Sequence, residues 1–266
     1  MYGNRLPNHS KMFIPFIMAG DPTPQFTIDL ALLLQEAGAS VIELGVPYSD
    51  PLADGPIIQR SSQRALRGNM NLENAINLAG QMRKKGVKIP IILFTYFNPV
   101  LQLGYERFFA LTDKNEVDGL LVPDLPFEES EIVRQRCQQN GLKYISLVAP
   151  TSNERIKLIA NNAEGFLYCV SSLGVTGIRK ELSPKVQQFL QDAMKESNIP
   201  VAVGFGISSA EQIKELLPHC NGIVIGSAII ELVEKQLSNI STNNDVALHF
   251  IQKQVQSMIA PIILER

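Results

Sequence analysis

Val41-Ile-Glu-Leu-Gly-Val-Pro-Tyr-Ser-Asp-Pro-Leu-Ala-Asp-Gly-Pro56 opens as an apolar run with one carboxylate, Glu43, set inside it. A short apolar run closed by Gly45 and Pro47 reads as a buried strand. The segment after it, with Pro47, Pro51 and Pro56, reads as a loop. A carboxylate in a buried strand is costly unless it is paired or stays protonated. Two further acids, Asp50 and Asp54, follow on the proline-stiffened loop. The stretch therefore admits two readings: acids placed for proton transfer, or a strand-end salt bridge beside an ordinary capping loop.

Outward from this stretch, similar apolar runs recur at residues 13–18, 89–96, 119–122, 144–148, 166–170, 201–203 and 223–225. Near-continuous apolar character, without alternation, marks parallel strands buried on both faces. Between them, residues 26–37, 74–85, 129–140, 153–161, 185–196 and 209–217 have helical patterning, and Gly38 supplies a C-terminal stop for the first. Ser209 with Gln212 resembles a capping box. With strand 41–45 included, strands and helices alternate in the number needed for a closed (β/α)8 barrel; an open doubly wound sheet is the competing arrangement. No change of composition divides the chain, so residues 1–266 read as one domain. The long connections, 49–70 and 171–184, would lie at the C-terminal mouth of a barrel, where loops carry function. After Glu231 the chain turns polar before a closing helix at 246–259.

A 45% hydrophobic content over 266 residues supports a large core, and a net charge of -2 argues against a nucleic-acid or polybasic membrane surface. The N-terminus lacks the apolar segment of a signal peptide. Cys137, Cys169 and Cys220 lack metal spacing and read as reduced thiols of a cytoplasmic protein, or of a plastid stroma in a plastid-bearing source.

Glycines gather after the last three strands, in Gly174-Val-Thr-Gly177, Gly204-Phe-Gly-Ile-Ser208 and Gly226-Ser-Ala228. There, backbone N–H groups can approach an anion closely, and a helix starting at Ser227 would add its dipole. Turn glycines needed only for tight corners are the simpler alternative. His9, His219 and His249 lie away from the strand ends, no metal pattern occurs, and no GxSxG elbow is present. Carboxylates remain for acid–base work: Glu43, Asp54, Asp124 and Asp21. Glu43 among apolar neighbours would have its pKa raised toward neutrality. Asp54 sits on a loop able to close over a pocket. Asp124, between two prolines, serves equally well as a turn former. Phe16, Phe94, Tyr96, Leu121 and Ile145 could line a pocket for an aromatic ring, with Tyr96 and Tyr168 offering phenols.

Several segments together resemble the tryptophan synthase alpha chain family: Phe13-Ile-Pro-Phe-Ile-Met-Ala-Gly-Asp-Pro22, the string from Glu43 to Pro56, Val122-Pro-Asp-Leu-Pro126, Tyr168-Cys-Val-Ser171, Val203-Gly-Phe-Gly-Ile-Ser208 and the glycine turns above. The resemblance runs in order from about Lys11 to Leu232. It implies a (β/α)8 barrel that cleaves indole-3-glycerol phosphate to indole and glyceraldehyde 3-phosphate with no cofactor of its own. By the same resemblance Glu43 is the acid–base carboxylate, and Asp54 stabilises charge developing at the indole nitrogen. Tyr168 is the pocket tyrosine, Gly177, Gly206, Gly226 and Ser227 hold phosphate, and Thr176 belongs to a mobile loop. The implied partner is a beta chain carrying pyridoxal phosphate, which receives indole through a tunnel in an α2β2 assembly. Asp50, Pro51, Asn98 and Pro126 resemble that contact surface. A stand-alone lyase and a non-catalytic allosteric subunit are the alternatives.

Two departures from the family accompany these expectations. The usual covering helix at the bottom of the barrel is replaced by a short leading segment, in which Gly3 and Pro7 oppose a helix. Phe94 and Cys169 occupy positions that vary in the family and bear on pocket size.

Overall fold

The first strand, β1 (Met12–Met18), is buried at every position because it lies mid-sheet, between helices on one side and the barrel interior on the other. The protein is described here by a computed structural model covering residues 5–7, 11–152, 155–170, 184–204 and 206–266. Beyond β1 come β2 (Ile42–Gly45), β3 (Ile91–Phe94), β4 (Gly119–Leu121), β5 (Lys143–Tyr144), β6 (Leu147–Val148), β7 (Leu167–Val170), β8 (Val201–Gly204) and β9 (Gly222–Ile225). All pairings are parallel, in the order β5-β4-β3-β2-β1-β9-β8-β7-β6.

β5 and β6 are halves of one extended stretch, parted only by Ile145 and Ser146. The Ile145 N–H donates to Leu120 O at 2.8 Å, and the Tyr168 N–H donates to Ser146 O at 3.0 Å. The two ends of the sheet therefore meet at this stretch. With β5 and β6 taken as one strand, the structure is the expected closed barrel.

The helices are α1 (Pro24–Glu36), α2 (Pro56–Arg67), α3 (Leu72–Lys85), α4 (Phe97–Leu103), α5 (Tyr105–Lys114) and α6 (Glu131–Gln139). They continue with α7 (Ile156–Asn161), α8 (Pro184–Glu196), α9 (Ala210–Leu216), α10 (Ser227–Lys235), α11 (Leu237–Thr242) and α12 (Asn244–Leu264). Thr23, Asn71 and Ser209 cap α1, α3 and α9 through their side-chain oxygens. Gln212 does not complete a box on Ser209; it accepts instead from the Ser208 N–H at 2.8 Å.

Three expectations about the elements are corrected. The connection 49–70 is not wholly loop: Pro56 is pre-set for a first helical turn, and Ile58, Ser61, Ser62 and Ala65 give α2 a buried face. Residues 97–114, unassigned by pattern, form α4 and α5 around the positive-φ Gly104. The polar stretch after Glu231 is helical as well: α10 runs on to Lys235 with Val233 buried, and α11 follows with no buried residue.

Inward-facing side chains form their own cluster, which includes Met12, Ile14, Ile92, Leu121, Phe166 and Val224. Residues 5–7 of the leading segment lie against the bottom of the barrel. Leu6 packs on this cluster, and Arg5 reaches Glu116 at 2.6 Å and buried Asp118 at 3.3 Å.

Candidate active site

Glu43 is the inward carboxylate of β2. Its Cα pairs in register with Phe16 on one side and Ile92 on the other, both of which also face the axis. The side chain is 1% exposed, and its Oε1 has no hydrogen-bond partner among the described residues. Burial alone pushes its pKa up to about 8. At neutral pH this carboxyl is therefore mostly protonated, a proton donor aimed at a cavity.

That cavity, of about 250 Å³, is lined by Glu43 and Asp54 together with Phe16, Tyr168, Gly206, Gly226 and Ser227. Phe94 lines it as well, so the barrel mouth brings together eight residues singled out in the sequence. Ala53, Gly55, Ile58 and Val224 line it too and were not foreseen; a small or aliphatic residue next to a motif carries no chemical signal of its own. Thr176 and Gly177 lie outside the described residues.

Asp54 directly precedes Gly55, the N-cap of α2. Burial raises its pKa, and a hydrogen bond with Tyr96 opposes that rise. Tyr96 does not line the cavity as expected. It is buried behind the loop, where its hydroxyl accepts the Ala53 N–H at 3.0 Å and its ring stacks on Tyr48 with centroids 5.1 Å apart. Its place is behind Asp54 because α4 begins immediately after it and the loop folds down upon it.

Glycine on the inner wall makes room for two aromatic rings. A Cβ on Gly45 would lie 2.3 Å from Phe16 Cζ, and one on Gly204 would lie 2.3 Å from the Tyr168 hydroxyl. Phe16 meets Phe94 edge-on at 5.5 Å. Phe94 and Tyr168, with Ala53, also border an adjoining cavity of about 310 Å³ that runs past Pro123 and Leu147. Burial holds the Tyr168 phenol well above its ordinary pKa, and nearby Glu43 adds to the rise.

On the β8–β9 side, Gly206 has φ +69° and Gly226 is the N-cap of α10, whose first residue is Ser227. None of the described lining residues is a lysine or arginine, so an anion here would meet backbone N–H groups and a helix dipole.

The remaining acids are structural. Asp21 is buried against Arg64, with contacts of 2.7 and 2.8 Å. Asp124 accepts the Phe97 N–H at 2.9 Å and so anchors the start of α4. At the rim, Asp50, Asn98 and Pro126 are exposed and Pro51 is partly so; they follow three successive strands, Asn98 in the first turn of α4 and the others on loops. Leu52, between them, is 86% exposed. Among the described residues no helix is long and apolar enough to cross a membrane.

The family described as tryptophan synthase alpha chain matches residues 4–259 of this sequence. The chain is 59% identical to the tryptophan synthase alpha chain of Geobacillus sp. (strain WCH70), over 94% of this chain and 96% of that one. It is 55% identical to that of Geobacillus thermodenitrificans (strain NG80-2), over 97% of both. Among solved structures, it is similar to the tryptophan synthase subunit alpha of Legionella pneumophila str. Paris. That match has a TM-score of 0.85 and 34% identity, covering 96% of this chain and 93% of that one. It is also similar to a chain from a study of mutual activation in the tryptophan synthase α2β2 complex of Pyrococcus furiosus. There the TM-score is 0.86 and the identity 36%, covering 96% of this chain and 100% of that one.

Proposed function

The chain belongs to the tryptophan synthase alpha chain family, and on that premise we propose that Glu43 and Asp54 together cleave indole-3-glycerol phosphate at the barrel mouth. The products are indole and glyceraldehyde 3-phosphate, and the protein works as the alpha subunit in tryptophan biosynthesis. The observation that carries the site assignment is the single cavity lined by Glu43, Asp54, Gly226 and Ser227.

The reaction needs a proton delivered to the ring and another removed from the side chain. Glu43, neutral near pH 7, donates its proton to the indole ring carbon that bears the glycerol phosphate. Positive charge then develops at the ring nitrogen, where the Asp54 carboxylate stabilises it. The Glu43 carboxylate next takes the proton from the side-chain hydroxyl beside the ring. The carbon–carbon bond breaks, its electron pair returns to the ring, and the hydroxyl carbon leaves as the aldehyde. Glu43 ends protonated again and no atom is left over. The phosphate rests on the N–H groups around Gly206, Gly226 and Ser227, while Phe16, Phe94 and Tyr168 bracket the ring.

No step calls for a cofactor in this chain, and the pyridoxal phosphate of the assembly is assigned to the beta chain. The rim residues Asp50, Pro51, Asn98 and Pro126, with exposed Leu52, supply the docking surface for that beta chain in an α2β2 complex. The proposal includes a cytoplasmic location.

The test is turnover of indole-3-glycerol phosphate by the chain alone and with a beta chain. Glu43→Gln and Asp54→Asn should each lower kcat by roughly a hundredfold or more, and parent turnover should decline above pH 8 as Glu43 loses its proton. A folded Glu43→Gln variant with full activity would refute the assignment.

A further inference from the structure

Helices α2 and α10 both begin at the cavity, one just after Asp54 and Gly55, the other with Gly226 and Ser227. The two helices pack against each other. Away from the cavity they are fastened by charge. Glu234, near the end of α10, takes Arg60 of α2 through both oxygens, at 2.8 Å from Nε and 2.7 Å from Nη2. Its Oε1 also accepts from Arg64 Nη1 at 3.0 Å. Arg64 forks onward to buried Asp21, and the Ser61 hydroxyl donates to that same carboxylate. Asp21 lies just beyond β1, the strand that carries Phe16. One continuous chain of ion pairs therefore ties together three segments that border the cavity.

An isolated exposed ion pair contributes little. This one is two-pronged, and its Arg64–Asp21 end is shielded from water. α10 buries an apolar face of its own, and α2 buries Ile58 and Ala65 beside Ser61 and Ser62. What it constrains is the offset between the two helix starts. A substrate whose ring nitrogen must meet Asp54 while its phosphate rests at Ser227 spans that offset, and errors of about 1 Å in such spacing can cost about a hundredfold in rate.

We propose that Glu234, acting through Arg60 and Arg64, is a positioning residue that sets the distance between Asp54 and the Gly226–Ser227 anion cradle. The inference rests on the lyase reading above.

The test is steady-state cleavage of indole-3-glycerol phosphate by Glu234→Gln, Arg60→Gln and the double variant. Each single variant should lose about tenfold in kcat with KM changed by less than about threefold, because the groups that hold substrate remain while their spacing loosens. The double variant should lose no more than the worse single, as expected of two members of one device. Glu234→Asp should recover part of the loss. Parent kcat should fall as sodium chloride is raised, since the Arg60 end is exposed, whereas Glu234→Gln should be insensitive. A kcat for Glu234→Gln within about twofold of the parent, or losses that multiply in the double variant, would overturn the proposal. Absence of cleavage by the parent would remove the lyase reading and this inference together; an active parent with an unimpaired Glu234→Gln variant would remove this inference alone.

Discussion

The Tyr96 hydroxyl accepts the backbone N–H of Ala53 at 3.0 Å, so a side chain just past β3 holds the residue that precedes Asp54. Tyr48, stacked on the same ring, belongs to the loop being held. The Asp54 loop is thereby fixed from below by an aromatic post. Tyr96→Phe keeps the ring and removes the hydroxyl's bonds to both the Ala53 N–H and the Asp54 carboxylate. A net loss of about 0.5–1.5 kcal/mol in holding the loop should appear as roughly a two- to tenfold fall in kcat. Steady-state kinetics of the variant check this, and KM should move little because the phosphate site lies elsewhere.

Glu43 makes the protein less stable as pH rises. Its folded pKa of about 8 lies above the ordinary carboxylate value of 4.5. Below pH 4.5 the group is protonated in both folded and unfolded chains and contributes nothing. Between 4.5 and 8 the unfolded chain has released that proton and the folded one has not, so unfolding gains by up to about 1.4 kcal/mol per pH unit. Urea titrations across this window should show Glu43→Gln losing less stability with rising pH than the parent, and exceeding it in stability near pH 8. Parallel profiles for the two proteins would contradict the burial argument.

At the opposite end of the barrel, Asp118 is fully buried and receives Arg83, Arg5 and the Ile91 N–H. Asp118→Asn would leave the nearly buried Arg83 guanidinium without its counter-charge. The expected cost is about 3–5 kcal/mol of stability, read as a lowered denaturant midpoint. Lyase kcat at a temperature where the variant stays folded should be unchanged, since the change is far from the mouth.

Leu52 projects from the loop that carries Asp50 and Pro51 and is largely exposed. Leu52→Ser should weaken beta-chain binding by about ten- to a hundredfold, the equivalent of burying one leucine side chain. Isothermal titration against a beta chain measures this directly, and turnover by the isolated chain provides the control.

Much of this architecture was legible because parallel barrel strands write themselves as uninterrupted apolar runs. Glu43 was conspicuous for the same reason, as the one carboxylate within such a run. Asp54, Gly206, Gly226 and Ser227 were legible through motif and resemblance, and they do gather at one cavity. Residues whose role depends on the third dimension were hidden. Tyr96 reads as a pocket phenol in sequence, and only the folding-back of residues 46–54 makes it a support. The prolines that suggested loop across 49–70 obscured α2, because Pro56 starts a helix as readily as it ends one. Glu234 and Arg60 are separated by 174 residues, and nothing local links them. The covering role of Arg5 and Leu6 was likewise invisible, since two residues make no periodicity.

The pairing of β1 with β9 sets Met12 beside Gly222 and Pro15 beside Ile225. Contacts between residues so distant in the chain are made at a cost in loop-closure entropy. Phe16, within β1, meets Gly226 across this seam, with the Phe16 Cβ only 3.3 Å from where a Cβ on Gly226 would lie. The wall of the cavity between Phe16 and Gly226 therefore exists only where the first strand of the barrel closes on the last.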